Sequence, residues 1–194
     1  MGRRSSGLNF RKKRIKTSDG HFKEVLVYIL SIAAAIGMAF FLVINWGMKT
    51  SVIGNSMEPT LYNGQTILIS RLAYLIKKPK VGDIIVFLPN GNQYTHYYVK
   101  RVVGVPGDTV QFINGILYIN GEVDDSGNYD KVSDPGIAKN EITLGEDEYF
   151  VLGDNRNSGE DYRSGNIGPV NIRLIEGRAW FKTTKDESIV GFIH

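Results

Sequence analysis

The chain has 194 residues, with 23 lysines and arginines against 20 acidic side chains, enough for one domain plus an appendage. It contains no cysteine, which excludes disulfide staples and thiolate chemistry. Arg3, Arg4, Arg11, Lys12, Lys13, Arg14, Lys16 and Lys23 precede residue 25 together with only Asp19 and Glu24; the remainder carries 15 basic and 18 acidic side chains, a net −3, which argues against a nucleic-acid-binding domain.

From Val25 to Trp46 the chain reads VLVYILSIAAAIGMAFFLVINW, without a charge and with only Ser31 and Asn45 clearly polar. About twenty such residues cross the ~30 Å hydrocarbon core of a bilayer. A core helix of this character would need a larger domain around it. The run exceeds the 7–15 residues typical of a cleavable signal's apolar region, and Gly47-Met48-Lys49-Thr50 supplies no A-x-A site. The basic flank fits the positive-inside rule. The expectation is an uncleaved signal anchor: residues 1–24 a cytoplasmic tail, 25–46 a single-pass transmembrane helix and 47–194 an extracytoplasmic domain.

Beyond Trp46 short β-type runs bounded by turn residues take over. Candidate strands run from Thr66 to Ile69, Ile84 to Leu88, Tyr97 to Val103, Thr109 to Ile113, Ile116 to Ile119, Tyr149 to Leu152 and Arg178 to Lys182. Asn90-Gly91, Asn114-Gly115 and Asn120-Gly121 are type I′ hairpin signals, and Pro106-Gly107-Asp108 is a further turn. With no second long helical pattern, the fold class is mostly β: one N-terminal transmembrane helix followed by an all-β domain. A polar stretch at about 121–140 carries Glu122, Asp124, Asp125, Asp130 and Asp134 without calcium-loop spacing, so it reads as a solvated insertion. His21, His96 and His194 are too scattered to suggest a metal site.

Three stretches could carry chemistry. In Gly54-Asn55-Ser56-Met57-Glu58-Pro59-Thr60-Leu61, the glycine and proline favour an exposed bend over a helix, and Ser56 is the candidate nucleophile. The bland alternative is a simple turn. In Tyr97-Tyr98-Val99-Lys100-Arg101-Val102-Val103, strand alternation sets Lys100 between apolar Tyr98 and Val102 on its own face. Desolvation disfavours an ammonium, and a lysine brought near neutrality can act as a general base. It could equally be a snorkelling strand lysine. Gly153-Asp154-Asn155-Arg156-Asn157-Ser158, directly after an apolar strand, is a turn rich in side chains that bond to backbone, and Asp161 and Arg163 beyond it could pair.

Taken in order behind a signal anchor, four boxes make the chain resemble the bacterial type I signal peptidases, membrane-bound serine endopeptidases of the Ser-Lys class. They are Ser56-Met57-x-Pro59-Thr60, Gly82-Asp83-Ile84, Lys100-Arg101-Val102-Val103-Gly104-x-Pro106-Gly107-Asp108 and Gly153-Asp154-Asn155-Arg156. The resemblance implies that Ser56 attacks the scissile carbonyl of a signal peptide while neutral Lys100 takes its proton, with an acyl-enzyme hydrolysed afterwards. It implies an oxyanion held partly by the Ser56 backbone N–H; the hydroxyl that some relatives carry two residues earlier is Gly54 here, as in Gram-positive-like members. Where the family has serines, this chain has Gly159 and Tyr162, so Ser158, one residue early, is a doubtful candidate to orient Lys100; Asp161 and Arg163 carry over as a structural ion pair. By analogy, Val52, Ile53, Tyr98 and Val99 line shallow pockets for small residues at −1 and −3 of the substrate. The resemblance calls for no cofactor and no metal, membrane lipid and preprotein signal peptides as partners, and a monomer.

Three rivals differ in class. A non-catalytic scaffold for surface or pilus assembly would be expected to lose Ser56 or Lys100. A self-cleaving repressor would need a DNA-binding domain where this chain has an apolar span. A Ser-His-Asp arrangement would use His96, which on a continuous strand would stand about 13 Å from Lys100 along one face.

Overall fold

The structure is a computed structural model that describes residues 2, 19–46, 48–89, 96–125, 127, 129–158, 169–183 and 190–193. Two compact units are present, Met1–Phe41 and Leu42–His194.

The described helix of the first unit is α1 (Asp19–Trp46), a 28-residue helix that begins six residues before the apolar run and whose last five residues, 42–46, belong to the second unit. Its segment His21–Leu42 is long and apolar enough, by length and composition, to cross a membrane, and none of it is buried against protein. At ~1.5 Å per residue, its 22 residues reach about 33 Å, the thickness of a hydrocarbon core. The helix starts early because His21, Lys23 and Glu24 tolerate helical geometry; their polarity ends the apolar stretch without ending the hydrogen-bond ladder.

The second unit is β-rich. β1 (Met48–Ser51), β2 (Thr66–Ser70), β3 (Ile84–Phe87), β4 (Tyr98–Gly104), β9 (Glu148–Leu152), β10 (Val170–Asn171), β11 (Ile175–Thr183) and β12 (Gly191–Phe192) form one sheet, in the order β1-β2-β11-β3-β4-β9-β10 with β12 on β11. β5 (Thr109–Ile113), β6 (Ile116–Ile119), β7 (Glu122–Val123) and β8 (Ile142–Thr143) form a second, in the order β7-β6-β5-β8. A four-residue helix, α2 (Ala73–Ile76), lies between β2 and β3. The mostly β fold therefore agrees with the sequence reading.

The central strand β3 explains how the sheet is covered. All four of its residues are buried. Ile85 and Phe87 point into a core shared with Val102, Phe112, Tyr149 and Phe150, whereas Ile84 and Val86 point into one shared with Val52, Met57, Leu61, Ile67 and Val99. Such an unbroken apolar strand has no wet face, and burying each side chain contributes roughly 1.5–3 kcal/mol.

The two Asn-Gly turns form as expected. Ile113 pairs with Ile116 and Ile119 with Glu122, leaving two-residue loops in which Asn114, Gly115, Asn120 and Gly121 all have positive φ. Asn90-Gly91 lies outside the described residues. Short β1, β7, β8, β10 and β12 were not expected: two to four residues give too little alternation to read.

The stretch 121–140 is more structured than a solvated insertion. It contains β7 and a 3-10 turn, Gly136–Lys139, and it buries Val132 and Ala138 against the first core. Val132 N–H donates to Gly115 O at 2.9 Å. Two small apolar residues among many polar ones suffice to tether the loop, although they leave no periodic signal.

Candidate active site

Ser56 lies between β1 and β2, and apolar anchors on both sides hold it. Val52, Met57 and Leu61 are fully buried, and Val52 exchanges backbone bonds with Gly64 and Gln65 at 2.8 Å each. Between these anchors Gly54 takes φ +85°, a left-handed geometry that favours glycine, and its N–H donates to Asn63 Oδ1 at 3.2 Å. Glu58 N–H closes a turn onto Asn55 O at 3.2 Å. Ser56 is thus presented on a fixed bend, 8% exposed. Its own N–H donates to no acceptor among the described residues.

Lys100 sits in β4, opposite Ile85 of β3. It is 2% exposed. On its other side β4 pairs with β9 through Arg101↔Leu152 and Val102↔Val151, so one step further along the same register sets Gly153 beside Lys100.

Gly153 also touches Ser56. A Cβ built on it would collide with the Ser56 carbonyl oxygen and lie 3.2 Å from Ser56 Cβ. The same carbonyl accepts from Asn155 N–H at 3.0 Å, and Asn155 Nδ2 donates to Asn55 O at 3.3 Å. The turn after β9 therefore lies directly on the serine bend, and its first residue is the one next to the lysine. Only a residue without a side chain fits there.

A second link runs in parallel. Arg101 Nε and Nη2 each donate to the carboxylate of Asp154 at 2.8 Å, and Arg101 Nη1 donates to Gly82 O at 2.8 Å. Thr60 Oγ1 donates to Asp154 Oδ2 at 2.6 Å, and Lys182 Nζ donates to Thr60 O at 2.8 Å. Asp154 thus joins the strand of Lys100 to the bend of Ser56. Its hydrogen bonds hold the Arg101 guanidinium above its ordinary pKa. Beside this junction an open groove of about 530 Å³ is lined by Glu58, Thr60, Tyr129, Asp154, Asn155 and Arg156, among others.

Arg156 completes the support. It is 3% exposed, its guanidinium lies 3.8 Å from the centre of the Tyr129 ring, and burial lowers its pKa. Tyr129 belongs to the 121–140 stretch, so that stretch braces the turn that lies on Ser56.

The four residues expected to line substrate pockets divide by exposure. Val52 and Val99 are buried in the core beneath the serine, Tyr98 is half-buried with its ring edge-on to Phe87 at 6.0 Å, and Ile53 is 56% exposed. Ser158 N–H donates to Asn155 O at 3.2 Å, while its buried Oγ makes no hydrogen bond to any described residue, Lys100 among them. Asp161, Arg163, Gly159 and Tyr162 lie outside the described residues. His96 is exposed and precedes β4 rather than lying within it, which replaces the shared strand face expected for it and Lys100.

The sequence reading missed the Arg101–Asp154–Thr60 junction. The signal was present: an arginine between Val99 and Val103 in a strand of a small domain requires a carboxylate partner.

Residues 25–184 match the family described as signal peptidase, peptidase S26. The chain belongs to that family. A signal peptidase I of Bacillus amyloliquefaciens is 34% identical over 186 residues, which cover 87% of this chain and 93% of that one. A signal peptidase IB of Staphylococcus aureus (strain COL) is 32% identical over 180 residues, 82% of this chain and 90% of that one. A crystal structure of a signal peptidase I from Enterococcus faecalis V583 is similar over 53% of this chain and 97% of its own, with 31% identity and a TM-score of 0.39. In this signal peptidase family member, the four boxes read from the sequence converge on one place: Gly153 meets Ser56, Asp154 meets Arg101 and Thr60, and Arg101 meets Gly82.

Proposed function

We propose that this chain is a membrane-anchored serine endopeptidase that removes signal peptides from exported preproteins, with Ser56 as nucleophile and Lys100 as general base. The observation that carries this reading is the position of Gly153, in contact with Ser56 and, one step beyond the Arg101↔Leu152 pair, beside the buried Lys100. A lysine withdrawn from water favours its neutral amine, which is the form able to accept a hydroxyl proton.

In the proposed cycle Ser56 Oγ attacks the scissile carbonyl carbon as its proton passes to Lys100 Nζ. The tetrahedral oxyanion is held partly by the Ser56 N–H, which has no other acceptor among the described residues. Collapse expels the new amino terminus, which takes a proton from the Lys100 ammonium, and leaves an acyl-enzyme on Ser56. Lys100 then deprotonates a water that releases the signal peptide and regenerates the serine. Val52, Ile53, Tyr98 and Val99 would shape shallow pockets suited to small residues at −1 and −3. The basic residues ahead of α1 would keep the N-terminus cytoplasmic and the β domain outside, on the face where a signal peptide's cleavage site emerges. The proposed enzyme acts as a monomer and without a cofactor.

The test is cleavage of a preprotein with an A-x-A site by the purified full-length chain in detergent, reading the N-terminal residue of the released product. Release immediately after the second Ala, lost when either Ala becomes Leu, supports the assignment. Failure to cut preproteins with A-x-A sites, or a cut elsewhere in them, contradicts it.

A further inference from the structure

Asn155 bonds to the peptide units on both sides of Ser56. Its backbone N–H donates to Ser56 O at 3.0 Å, and its side-chain Nδ2 donates to Asn55 O at 3.3 Å. A carbonyl only accepts, so the amide nitrogen is the end of the side chain that faces it. Asn55 O belongs to the same peptide unit as Ser56 N–H, the group that would hold the oxyanion, and Ser56 O belongs to the next unit. One residue, 100 positions from Asn55 in sequence, therefore grips both.

Peptide geometry decides what this grip fixes. A peptide unit is planar, and in its trans form the C=O and N–H point in opposite directions. Among the described residues the only cis bond is Glu58–Pro59, so the Asn55–Ser56 bond is trans. Whatever holds Asn55 O thus sets the direction of Ser56 N–H. Asn55 O accepts a second bond, from Glu58 N–H at 3.2 Å, but that donor is part of the bend and turns with it. Asn155 holds the carbonyl from outside. Its own place is fixed, because Ser158 N–H donates to Asn155 O at 3.2 Å and the preceding Asp154 is held by Arg101 and Thr60.

The two ends of this peptide unit are used unequally. Its carbonyl takes two donors, whereas Ser56 N–H has no acceptor among the described residues. Hydrogen bonds donated to the carbonyl of an amide polarise its N–H and strengthen the bond that N–H can make. An aimed, polarised and unused donor is what a developing oxyanion requires, since the gain in rate comes from dipoles already in place before the reaction.

We infer that Asn155 is a positioning residue for the oxyanion donor: its side-chain amide locks the Asn55–Ser56 peptide with the N–H turned toward the scissile carbonyl, and polarises that N–H. The inference rests on the reading of Ser56 as nucleophile and adds to it a side chain that takes no part in proton transfer.

Asn155→Ala removes the side-chain donor and keeps the backbone bond to Ser56 O. Asn155 does not have a positive φ, so alanine fits its backbone. Asn155→Asp keeps the shape but places an oxygen where the nitrogen was, with no N–H for Asn55 O. For full-length wild type and both variants in detergent, kcat and KM are measured on an A-x-A preprotein. The Kd is measured for an A-x-A peptide aldehyde, whose hemiacetal with Ser56 Oγ puts an oxygen in the oxyanion position. It is also measured for a substrate peptide whose scissile amide is reduced to CH2–NH, which has no such oxygen.

The expected result is a kcat about 10- to 100-fold lower in both variants, an aldehyde Kd raised in the same proportion, and KM and reduced-peptide Kd within about twofold of wild type. A residue that only supported the fold would weaken both peptides alike. An unchanged kcat in Asn155→Ala, equal weakening of aldehyde and reduced peptide, or loss of the fold in both variants overturns the inference while cleavage by the wild type upholds the peptidase reading. A wild type that cuts no A-x-A preprotein overturns that reading and the inference with it.

Discussion

Arg101 and Asp154 face each other through two parallel 2.8 Å hydrogen bonds, 53 residues apart in sequence and adjacent to the two positions that meet at the candidate site, Lys100 and Gly153. The Asp154 side chain is 3% exposed and that of Arg101 13%. A pair this buried contributes little over an apolar replacement of both partners, but loss of one leaves the other's charge stranded. Asp154→Ala is expected to lower stability by about 3–5 kcal/mol. Thermal unfolding reads it, and Arg101→Lys should recover only part of the two-point geometry. An unchanged melting temperature in Asp154→Ala would remove the pair from the account.

Gly153→Ala separates packing from chemistry. The added Cβ has no room against the Ser56 carbonyl, so the bend must shift by a fraction of an ångström. Overpacking of this kind costs about 1–3 kcal/mol of stability. Misplacement of a reacting group by about 1 Å can cost roughly 100-fold in rate. Preprotein cleavage should therefore fall far more than the stability change alone would account for, and equal cleavage rates for the two proteins would refute the contact.

Thr60→Val removes the 2.6 Å bond to Asp154 while keeping the volume of the side chain. A hydrogen bond to a buried charge contributes about 1.5–3 kcal/mol, and loss of that order is expected by denaturant unfolding. Thr60→Ser should retain most of it. If valine and serine behave alike, the hydroxyl carries no weight at this junction.

Tyr129→Leu tests whether the 121–140 stretch braces the site. The Arg156 guanidinium 3.8 Å above the ring would lose its cation–π partner, about 2 kcal/mol in a desolvated setting. Hydrogen exchange should rise in both 129–132 and 153–157, the two segments that the stacking joins. A rise confined to the first would show that the brace does not reach the serine.

Much of the fold was legible in the sequence because its long strands alternate or run apolar. β3, β4, β5, β6 and β9 fall within a residue or so of their expected bounds, and Asn114-Gly115 and Asn120-Gly121 turn as their φ preferences require. β11 extends beyond Arg178–Lys182 to Ile175–Thr183, since register shifts near Gly177 and Ala179 break the alternation that would have revealed its ends. β1 was not visible because Met48-Lys49-Thr50-Ser51 has no apolar alternation; its place comes from pairing with β2.

The candidate site was legible in its residue types rather than its supports. Ser56 and Lys100 stood out locally, one in a Gly-Pro-bounded bend and the other as a charge in an apolar strand. The roles of Gly153 and Asp154 depend on a turn folding back across about a hundred residues onto the Ser56 bend, and no local pattern encodes that contact. The expected Asp161–Arg163 pair lies outside the described residues, and the ion pair found next to the site is Arg101–Asp154.

The most direct test of the Ser-Lys chemistry is the initial rate of A-x-A preprotein cleavage by full-length wild type, Ser56→Ala, Lys100→Met and His96→Ala, with thermal unfolding confirming that each is folded. Loss of cleavage in the first two variants, with His96→Ala retaining the wild-type rate, is the predicted result. A folded Lys100→Met protein that still cleaves at the wild-type rate, or a His96→Ala protein that does not cleave, would contradict it.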